Sequence, residues 1–213
     1  MNRRNEVLEE FFTDLQRSLS NILWRSWKSI DLKKIELVAA VDVAYRGNLA
    51  FAAAVMWSLK EDKPVDEKHL VCEAAYPYVP GLLFLREAPI MLRVVKLLDP
   101  GWQILLVDGH GLLHPRKMGL AVFLGLALNK PTLGIAKSLL VGSKREGGWF
   151  GEVEISGEVL GYWFKPKESR TFYASPGYMI DVRQVPKIIE MLGLRYPEPL
   201  KYADKMSKEY FKS

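Results

Sequence analysis

The sequence has only one cysteine in 213 residues, Cys72, so no disulfide can form within the chain. Its apolar setting, HLVCEAA, predicts a buried thiol. No apolar run approaches the roughly 20 residues of a membrane span, and the first residues carry acids where a secretory signal needs an apolar stretch. These absences argue against a disulfide scaffold and a helical membrane protein, and they predict a soluble cytoplasmic protein without a membrane partner.

The rest of the composition is that of an ordinary globular protein. Hydrophobic residues make up 49% and charged residues 26% of the chain, enough apolar surface to bury a core. The absence of linkers, repeats and low-complexity tracts predicts one domain over residues 1–213 and, by default, a monomer. The net charge of +5 and the pI near 9.2 favour a polyanionic partner, although such an excess is also common in proteins that bind no nucleic acid.

Hydrophobic periodicity predicts runs of strands and helices. Apolar residues at three- and four-residue spacing predict an amphipathic helix over residues 5–24. A nearly continuous apolar run, Ile35–Ala44, predicts a buried strand that ends in the turn YRGN. The other expected elements are strands at Leu49–Trp57 and Leu70–Ala74, a helix at Leu82–Leu98, a strand in WQILLVDG, a helix at Met118–Leu128, a strand in PTLGIA, a hairpin over 149–164, and closing helices in DVRQVPKIIEML and EPLKYADKMSKEY.

The order of these elements predicts the fold class. Three strands joined by short turns can form an antiparallel meander, whereas two later strands, each preceded by a helix, extend the sheet in parallel. Placing the fourth strand beside the first gives a mixed central sheet flanked by helices, plus a small extra hairpin. This α/β arrangement resembles the ribonuclease H-like fold.

Two acids interrupt apolar strands at positions that this topology makes neighbours. Asp42 lies late in ELVAAVDVAY, and Asp108 ends ILLVD. An unpaired carboxylate in such a setting costs several kcal/mol, and two nearby carboxylates repel each other unless a cation keeps both ionised. Oxygen ligands suit Mg²⁺ or Mn²⁺, and the sequence has no cluster of cysteine and histidine that would indicate zinc.

Each acid also has a purely structural interpretation. An acid at a strand end, such as Asp108, is more often a turn former or a helix cap. Asp42 alone fits either interpretation, and only the pair favours a metal site. Glu87, just inside the helix that follows the third strand, is either a solvated acid paired locally with Arg86 or a third ligand that points to the edge of the first strand.

Several stretches of the chain resemble the successive motifs of the endonuclease V family: VAAVDVAY, PYVPGLLFLREAP, LLVDGHGLLHPRKMGLA, PTLGIAKSLL and SPGYMIDV. They occur in the family's order and span residues 36–183, and the most specific part is PYVPGLL…RE followed by VDGHGLLHPRK. The resemblance implies a Mg²⁺-dependent endonuclease of DNA repair, in which Mn²⁺ can replace Mg²⁺. It implies recognition of deoxyinosine, whose base is hypoxanthine, and hydrolysis of the second phosphodiester bond on its 3′ side. The implied products carry 3′-hydroxyl and 5′-phosphate ends.

The same resemblance assigns catalytic residues. It implies that Asp42, Asp108 and Glu87 bind the metal ion, which polarises the phosphate, lowers the pKa of the attacking water and stabilises the leaving oxygen. Lys137, in GIAKS, is implied to pair with the scissile phosphate. Outside the motif, Lys137 is an ordinary exposed lysine after a strand.

Tyr78, in PYVP, resembles the family's wedge, an aromatic ring that enters the base stack where the damaged base is rotated out. Pro77, Val79 and Pro80 hold the ring on a stiff loop, so little conformational entropy is lost on insertion. Stacking recovers roughly 1–3 kcal/mol per base. The structural alternative is a buried tyrosine that anchors the loop.

The resemblance also implies a pocket for the rotated base and two phosphate contacts. Glycines let backbone groups approach the edge of hypoxanthine, although turn chemistry explains them equally well. His114 can instead cap the next helix, and the two basic residues can begin a solvated helix. The implied pocket residues are Gly81, Leu83, Gly109, Gly111, His114 and Gly119, and the implied phosphate contacts are Arg116 and Lys117.

One position departs from the family pattern. Where some members carry a histidine after SPG, this chain has Tyr178, whose phenol is a poor neutral metal ligand, and His110 is a weak substitute. The alternatives to a deoxyinosine endonuclease are an inosine-specific endoribonuclease, another ribonuclease H-like nuclease, or an inosine-binding module with weak catalysis. The expected partner is therefore DNA containing deoxyinosine, with inosine RNA as the alternative, since local geometry reads the 2′-hydroxyl.

Overall fold

A mixed nine-stranded sheet organises the protein, whose computed structural model describes residues 3–22, 29–167 and 170–209. The ends of two predicted helices, residues 23–24 and 210, lie outside the described residues. The strands are β1 (Leu37–Arg46), β2 (Leu49–Ser58), β3 (Lys63–Glu73), β4 (Ile104–Asp108), β5 (Thr132–Ala136), β6 (Ser143–Lys144), β7 (Phe150–Ile155), β8 (Glu158–Phe164) and β9 (Phe172–Tyr178). The α-helices are α1 (Arg3–Ile22), α2 (Leu83–Val95), α3 (Leu120–Leu128), α4 (Val185–Met191) and α5 (Glu198–Glu209).

The central part of the sheet has the predicted connectivity. β1, β2 and β3 form an antiparallel meander, with Gly47 in the first turn at a φ of +59°. β4 pairs in parallel with β1, and β5 pairs in parallel with β4. The strand order is β3-β2-β1-β4-β5-β9-β8-β7-β6. The protein therefore has the predicted α/β fold of the ribonuclease H-like type.

Helices cover both faces of the sheet because its central strands are apolar on both sides. Val38 and Ala40 of β1 pack in a cluster with α4 and α5, whereas Ala39 and Val41 pack in a cluster with α2 and α3. Asp42, which follows Val41, therefore lies at the end of an apolar, buried stretch of β1. Among the described helices, none combines the length and apolar content that crossing a bilayer requires.

The third strand is longer and more exposed than predicted. β3 spans Lys63–Glu73, where the sequence predicts only Leu70–Ala74. Its residues alternate in burial because β3 is an edge strand with one face toward solvent, and this makes its sequence polar. Cys72 is exposed on this edge, so the prediction of a buried thiol is wrong.

The sequence does not predict β9, which joins the C-terminal hairpin to the rest of the sheet. β9 is antiparallel to both β5 and β8, so the predicted hairpin, β7–β8, continues the sheet. Pro176 and Gly177 make this stretch of sequence typical of a turn, because proline donates no ladder hydrogen bond and glycine favours turns. The pairing with β5 accommodates them by a register shift between Thr132 and Leu133.

We expect Gly111→Ala to destabilise the fold by about 1–3 kcal/mol, the usual cost of overpacking. Gly111 docks the loop after β4 onto β9, and a Cβ there would lie 2.0 Å from the Pro176 carbonyl oxygen. Backbone atoms cannot turn aside as a flexible side chain can. The free energy of unfolding in urea measures the loss, with Gly148→Ala as the matched control, since nothing lies within 4 Å of its added Cβ. Equal stabilities for both variants would contradict this account.

Candidate active site

Three carboxylates meet beside the central parallel strands, and we call them the acid cluster. Val41 of β1 lies opposite Val107 of β4, so the residues that follow, Asp42 and Asp108, are neighbours. Asp204 comes from α5, which packs across β1 and β2. One oxygen atom of each of these three carboxylates lies within 4.8 Å of the other two.

Asp42 is the most buried member of the acid cluster, with 7% of its surface exposed. The Ser207 hydroxyl donates a hydrogen bond to its Oδ2 over 2.8 Å. Burial, and then the charge of Asp108, raises the pKa of Asp42 to about 6, although Ser207 and Lys137 act in the opposite direction. The protein groups alone therefore do not fully compensate the negative charge of the cluster.

Glu87 faces the acid cluster from α2 but is not part of its closest group. Burial, followed by the charges of Asp42 and Asp108, raises the pKa of Glu87 to about 8. The neighbouring Arg86 is directed elsewhere, since its guanidinium donates to the Tyr76 carbonyl over 2.8 Å. The structure thus favours a Glu87 coupled to the acid cluster over a local pair with Arg86.

Lys137 follows β5 and lies against the acid cluster. Its Nζ is 2.7 Å from Asp108 Oδ2 and 3.8 Å from Asp204 Oδ1. Burial lowers the pKa of Lys137, but the hydrogen bond to Asp108 and the charges of the aspartates raise it overall. The ammonium is therefore charged, and with 58% of the side chain exposed it remains accessible to an anionic substrate.

The sequence alone does not single out Asp204 or Ser207. Both lie on α5, where an i, i+3 spacing puts them on one side of the helix, and Ser207 is buried with Leu200 and Ala203. The only signal in the sequence is a pair of short polar residues near an apolar helical stripe, which is too common to indicate a site. Their role becomes visible only because α5 packs against β1.

Tyr196, just before α5, is a further residue that the sequence does not single out. Its hydroxyl is buried close to the Asp108 carboxylate, without a hydrogen bond of regular geometry to any described residue. Its ring centroid lies 5.5 Å from Lys137 Nζ. Burial, and then the charges of the acid cluster, raises the pKa of the phenol, so Tyr196 is neutral.

The donor set of the acid cluster fits a hard divalent cation. It offers carboxylate oxygens only, with the carboxyl group of Glu87 nearby. Oxygen ligands suit Mg²⁺ or Mn²⁺, whereas zinc sites usually include cysteine or histidine. Burial, and then repulsion among the like charges, raises the pKa values of Asp42 and Glu87, and a bound cation would counteract both effects.

Tyr178 lies away from the acid cluster, at the opposite end of β5. It pairs with Thr132 at the start of that strand, whereas Asp108 pairs with Ile135 near its end. Three residues of strand separate the two levels by roughly 10 Å. The departure from the family pattern at Tyr178 therefore leaves the carboxylates unaffected. His110 does not join the cluster either, and burial lowers the pKa of its imidazole.

A pocket of about 260 Å³ lies near the acid cluster, since its lining residues His110 and Ser138 closely follow Asp108 and Lys137 in the chain. We call it the base pocket after the role that the family resemblance implies. Four of the residues named as pocket residues, Gly81, Leu83, His114 and Gly119, line it together with Tyr78. The two other predicted pocket residues do not line it. Gly111 packs on β9, and Gly109 faces Leu120.

His114 lines the base pocket with an uncharged imidazole. Burial, and then the charge of Arg116, lowers the pKa of its imidazole to about 4. Its Nδ1 accepts the backbone N–H of Arg116 over 3.2 Å, which places the proton of the neutral ring on Nε2. The next helix, α3, begins only at Leu120, so His114 does not cap it.

The ring of Tyr78 projects to solvent, with 65% of the residue exposed. Pro77 and Pro80 are exposed beside it, and Val79 is half-buried against the core between the sheet and α2. The alternative of a buried tyrosine that anchors the loop is therefore excluded. The loop presents an exposed aromatic ring at the mouth of the base pocket.

The two predicted phosphate contacts are engaged within the protein. Arg116 Nη2 donates to the Gly81 carbonyl over 2.7 Å, and its Nε donates to Gln16 Oε1 over 2.6 Å. Lys117 forms an ion pair with Glu158. Arg116 therefore connects to the loop that carries Tyr78, and contact of Arg116 and Lys117 with phosphate stays a prediction.

Comparisons with known proteins agree with this geometry. The sequence profile of the family described as Endonuclease V matches residues 23–205. The endonuclease V of Sulfolobus acidocaldarius is 36% identical over 204 residues, which cover 96% of both chains. The structure of endonuclease V from Bacillus subtilis has a TM-score of 0.86 at 26% identity, covering 96% of this chain and 92% of that one. A Ciona intestinalis endonuclease V, in complex with a 24mer DNA containing an inosine followed by a ribo-adenosine, has a TM-score of 0.86 at 27% identity and 98% coverage of both chains.

The fold, the acid cluster and these similarities define a nuclease with a ribonuclease H-like architecture. The chain belongs to the endonuclease V family, which confirms the resemblance carried by its motifs. The matched region includes all three residues of the acid cluster and the whole loop that carries Tyr78.

We expect Mg²⁺ to raise the melting temperature more at pH 8 than at pH 6. The pKa values of about 6 for Asp42 and about 8 for Glu87 lie above those of ordinary carboxyl groups, so protons compete with the cation at pH 6. In metal-free protein the folded state keeps these protons longer than the unfolded chain, so its stability falls as the pH rises from 6 to 8. Thermal unfolding with and without Mg²⁺ at both pH values measures the two effects.

Asp204→Asn provides the test variant, since it keeps the shape of the side chain and removes one ligand charge. We expect it to diminish the Mg²⁺-induced increase in melting temperature at both pH values. Glu190→Gln is the matched control, because this exposed acid pairs only with Lys187 on the surface of α4. A Mg²⁺ effect of equal size at both pH values would refute the proton competition.

Proposed function

We propose that the protein is a Mg²⁺-dependent endonuclease that recognises deoxyinosine in DNA. It hydrolyses the second phosphodiester bond on the 3′ side of the lesion and leaves 3′-hydroxyl and 5′-phosphate ends. In this proposal the chain acts as one catalytic domain and as a monomer, in the cytoplasm. The substrate is supported by the Ciona intestinalis relative, whose structure contains inosine in DNA.

The observation that carries the proposal is the short covalent connection between the acid cluster and the base pocket. Asp108 contributes to the cluster, and His110, two residues later, lines the pocket. Lys137 contacts the cluster, and the next residue, Ser138, lines the pocket. When a base occupies the pocket, a nearby phosphodiester of the same nucleic-acid strand therefore lies next to the carboxylates.

The acid cluster would hold the cation, with Glu87 as an additional carboxylate. When bound, Mg²⁺ supplies Lewis-acid activation of the phosphate and of the attacking water. The charged ammonium of Lys137 pairs with a non-bridging oxygen of the scissile phosphate and stabilises charge that develops in the transition state. Ser207 keeps Asp42 oriented through the hydrogen bond to Oδ2.

Recognition in this proposal depends on the exposed ring of Tyr78 and the adjacent pocket. The ring enters the stack and occupies the space that the rotated base leaves, recovering roughly 1–3 kcal/mol of stacking. A mispaired base is rotated out at lower cost than a paired one, which favours the lesion. The pocket volume of about 260 Å³ is below that of sites for drug-sized ligands and suits a single base.

Inosine in RNA is the second candidate substrate. The strand bound by the Ciona intestinalis relative has a ribo-adenosine after its inosine, so that protein accommodates a ribose next to the lesion. A binding module with weak catalysis finds less support, since its basis was Tyr178, which lies away from the carboxylates.

We expect the enzyme to nick a labelled duplex with one deoxyinosine one nucleotide 3′ of the lesion, in the presence of Mg²⁺ and not of EDTA. The adenine duplex is the substrate control, and the matching inosine RNA reveals the preferred sugar. Asp108→Ala should abolish cleavage without unfolding the protein, because it removes a carboxylate of the acid cluster. Cleavage of adenine and inosine strands at equal rates would refute the substrate, and full activity of Asp108→Ala would refute the metal assignment.

We expect Tyr78→Ala to weaken the preference for inosine over adenine strands more than it slows the chemical step. The ring is exposed and packs little within the protein, so its removal should leave the melting temperature unchanged. Single-turnover cleavage of both duplexes separates discrimination from chemistry. Leu97→Ala, at another exposed apolar residue that does not line the base pocket, is the control. An undiminished preference for inosine would exclude the wedge role.

A further inference from the structure

The N-terminal helix α1 reaches the base pocket through one residue, Gln16. Its neighbours Arg17 and Ser18 are exposed, yet Gln16 is 0% exposed and lines the pocket. The match to the family profile begins at residue 23, so α1 lies outside it. A buried amide is costly unless its polar atoms are paired, and the partners of Gln16 are informative.

Each polar atom of the Gln16 amide has a partner in the wall of the base pocket. Nε2 donates to the Met118 carbonyl over 2.8 Å and to the Gly81 carbonyl over 3.3 Å. Oε1 accepts from Arg116 Nε over 2.6 Å. Gly81 belongs to the loop that carries Tyr78, and Met118 belongs to the loop before α3. One side chain therefore joins the two loops that form the pocket.

Arg116 completes the connection from the other loop. Its Nη2 donates to the Gly81 carbonyl over 2.7 Å, so this oxygen accepts hydrogen bonds from both Arg116 and Gln16. Gly81 has a φ of +80°, and a Cβ there would lie 2.6 Å from Arg116 Nη2. The guanidinium can approach so closely only because residue 81 has no side chain. Gly81 follows Tyr78 by three residues, so fixing its carbonyl limits the positions that the ring can take.

We propose that Gln16 and Arg116 form a clamp that positions the loop of Tyr78 against the base pocket, which makes α1 part of the apparatus that discriminates hypoxanthine from adenine. This inference rests on the proposed function, since it assumes that the pocket receives the base. Gln16 is a positioning residue, because its amide is saturated by protein partners. Without the clamp, the Gly81 and Met118 carbonyls lose buried hydrogen bonds and the two loops separate, while the acid cluster is untouched.

The test compares single-turnover cleavage of matched inosine and adenine duplexes by the full-length protein. We expect Gln16→Leu to lower the ratio of the two rates by at least about tenfold, because small displacements at a recognition site have large effects on rate. Gln16→Glu keeps an oxygen for Arg116 but cannot donate to Gly81 or Met118, and it should lower the ratio as well. Ser18→Ala, at an exposed position of the same helix, is the control.

Two further readouts separate positioning from general destabilisation. The Mg²⁺-induced increase in melting temperature should be the same in wild type and Gln16→Leu, since the carboxylates do not contact the clamp. Arg116→Met should lower the ratio, and the double variant should lose less than the product of the two single losses, because both side chains act on the Gly81 carbonyl. If Gln16→Leu does not fold, Gln16→Glu and Arg116→Met decide the question.

The outcomes distinguish this inference from the proposed function. A wild-type protein without preference for inosine would overturn the proposed function itself. A wild-type preference that folded Gln16 and Arg116 variants retain would overturn the clamp alone and leave α1 a purely structural element. If the variants lose both the preference for inosine and the Mg²⁺-induced increase in melting temperature, the clamp is also overturned. The substitutions would then have disturbed the acid cluster.

Discussion

The repulsion between carboxylates held in a dry setting is the constraint on which the rest of this structure depends. Asp42 and Asp108 follow apolar strands whose parallel pairing brings them together, and Asp204 adds a third negative charge. Lys137 and the Ser207 hydroxyl compensate part of this charge. The pKa of Asp42 stays raised all the same, so the folded protein maintains an arrangement that is favourable only with a cation. The apolar clusters on both faces of the sheet hold the strands in place, so the carboxylates cannot move apart.

Two short stretches of chain connect the acid cluster to the base pocket. The end of β4 and the segment after β5 each have a residue at the acid cluster and a residue in the pocket within one or two positions. A displacement of either stretch would therefore change the distance between the pocket and the carboxylates, which in the proposed function is the distance between the base and the reacting phosphate. The loop of Tyr78 forms another wall of the pocket, and Gln16 and Arg116 donate hydrogen bonds to its Gly81 carbonyl. The base pocket is thus assembled from four separate parts of the chain: α1, the loop of Tyr78 with the start of α2, the segment after β4 and the segment after β5.

Much of this architecture could be predicted from the sequence, where local signals are strong. The strand containing Asp42 and the strand ending in Asp108 are apolar runs bounded by turns, and their parallel pairing follows from the helix between them. The polar edge strand β3 was predicted too short, because alternation on an exposed edge hardly differs from a loop. β9 escaped prediction because Pro176 and Gly177 resemble turn residues, and only the pairing with β5 and β8 reveals a strand.

The sequence by itself determined the fold class, the pair of strand acids, Lys137 and the stiff loop of Tyr78. The two acids stand out because a carboxylate in an apolar run is costly unless it is neutralised, whereas Lys137 and Tyr78 stand out only through the family resemblance of their motifs. The tertiary structure alone decided that Asp204 joins the cluster, that Ser207 donates to Asp42, and that Gln16 and Arg116 both donate to the Gly81 carbonyl. Polar residues on amphipathic helices are inconspicuous in a sequence, since the same pattern suits a solvated face. Their function depends on which atoms the packing of α1 and α5 brings within hydrogen-bond distance.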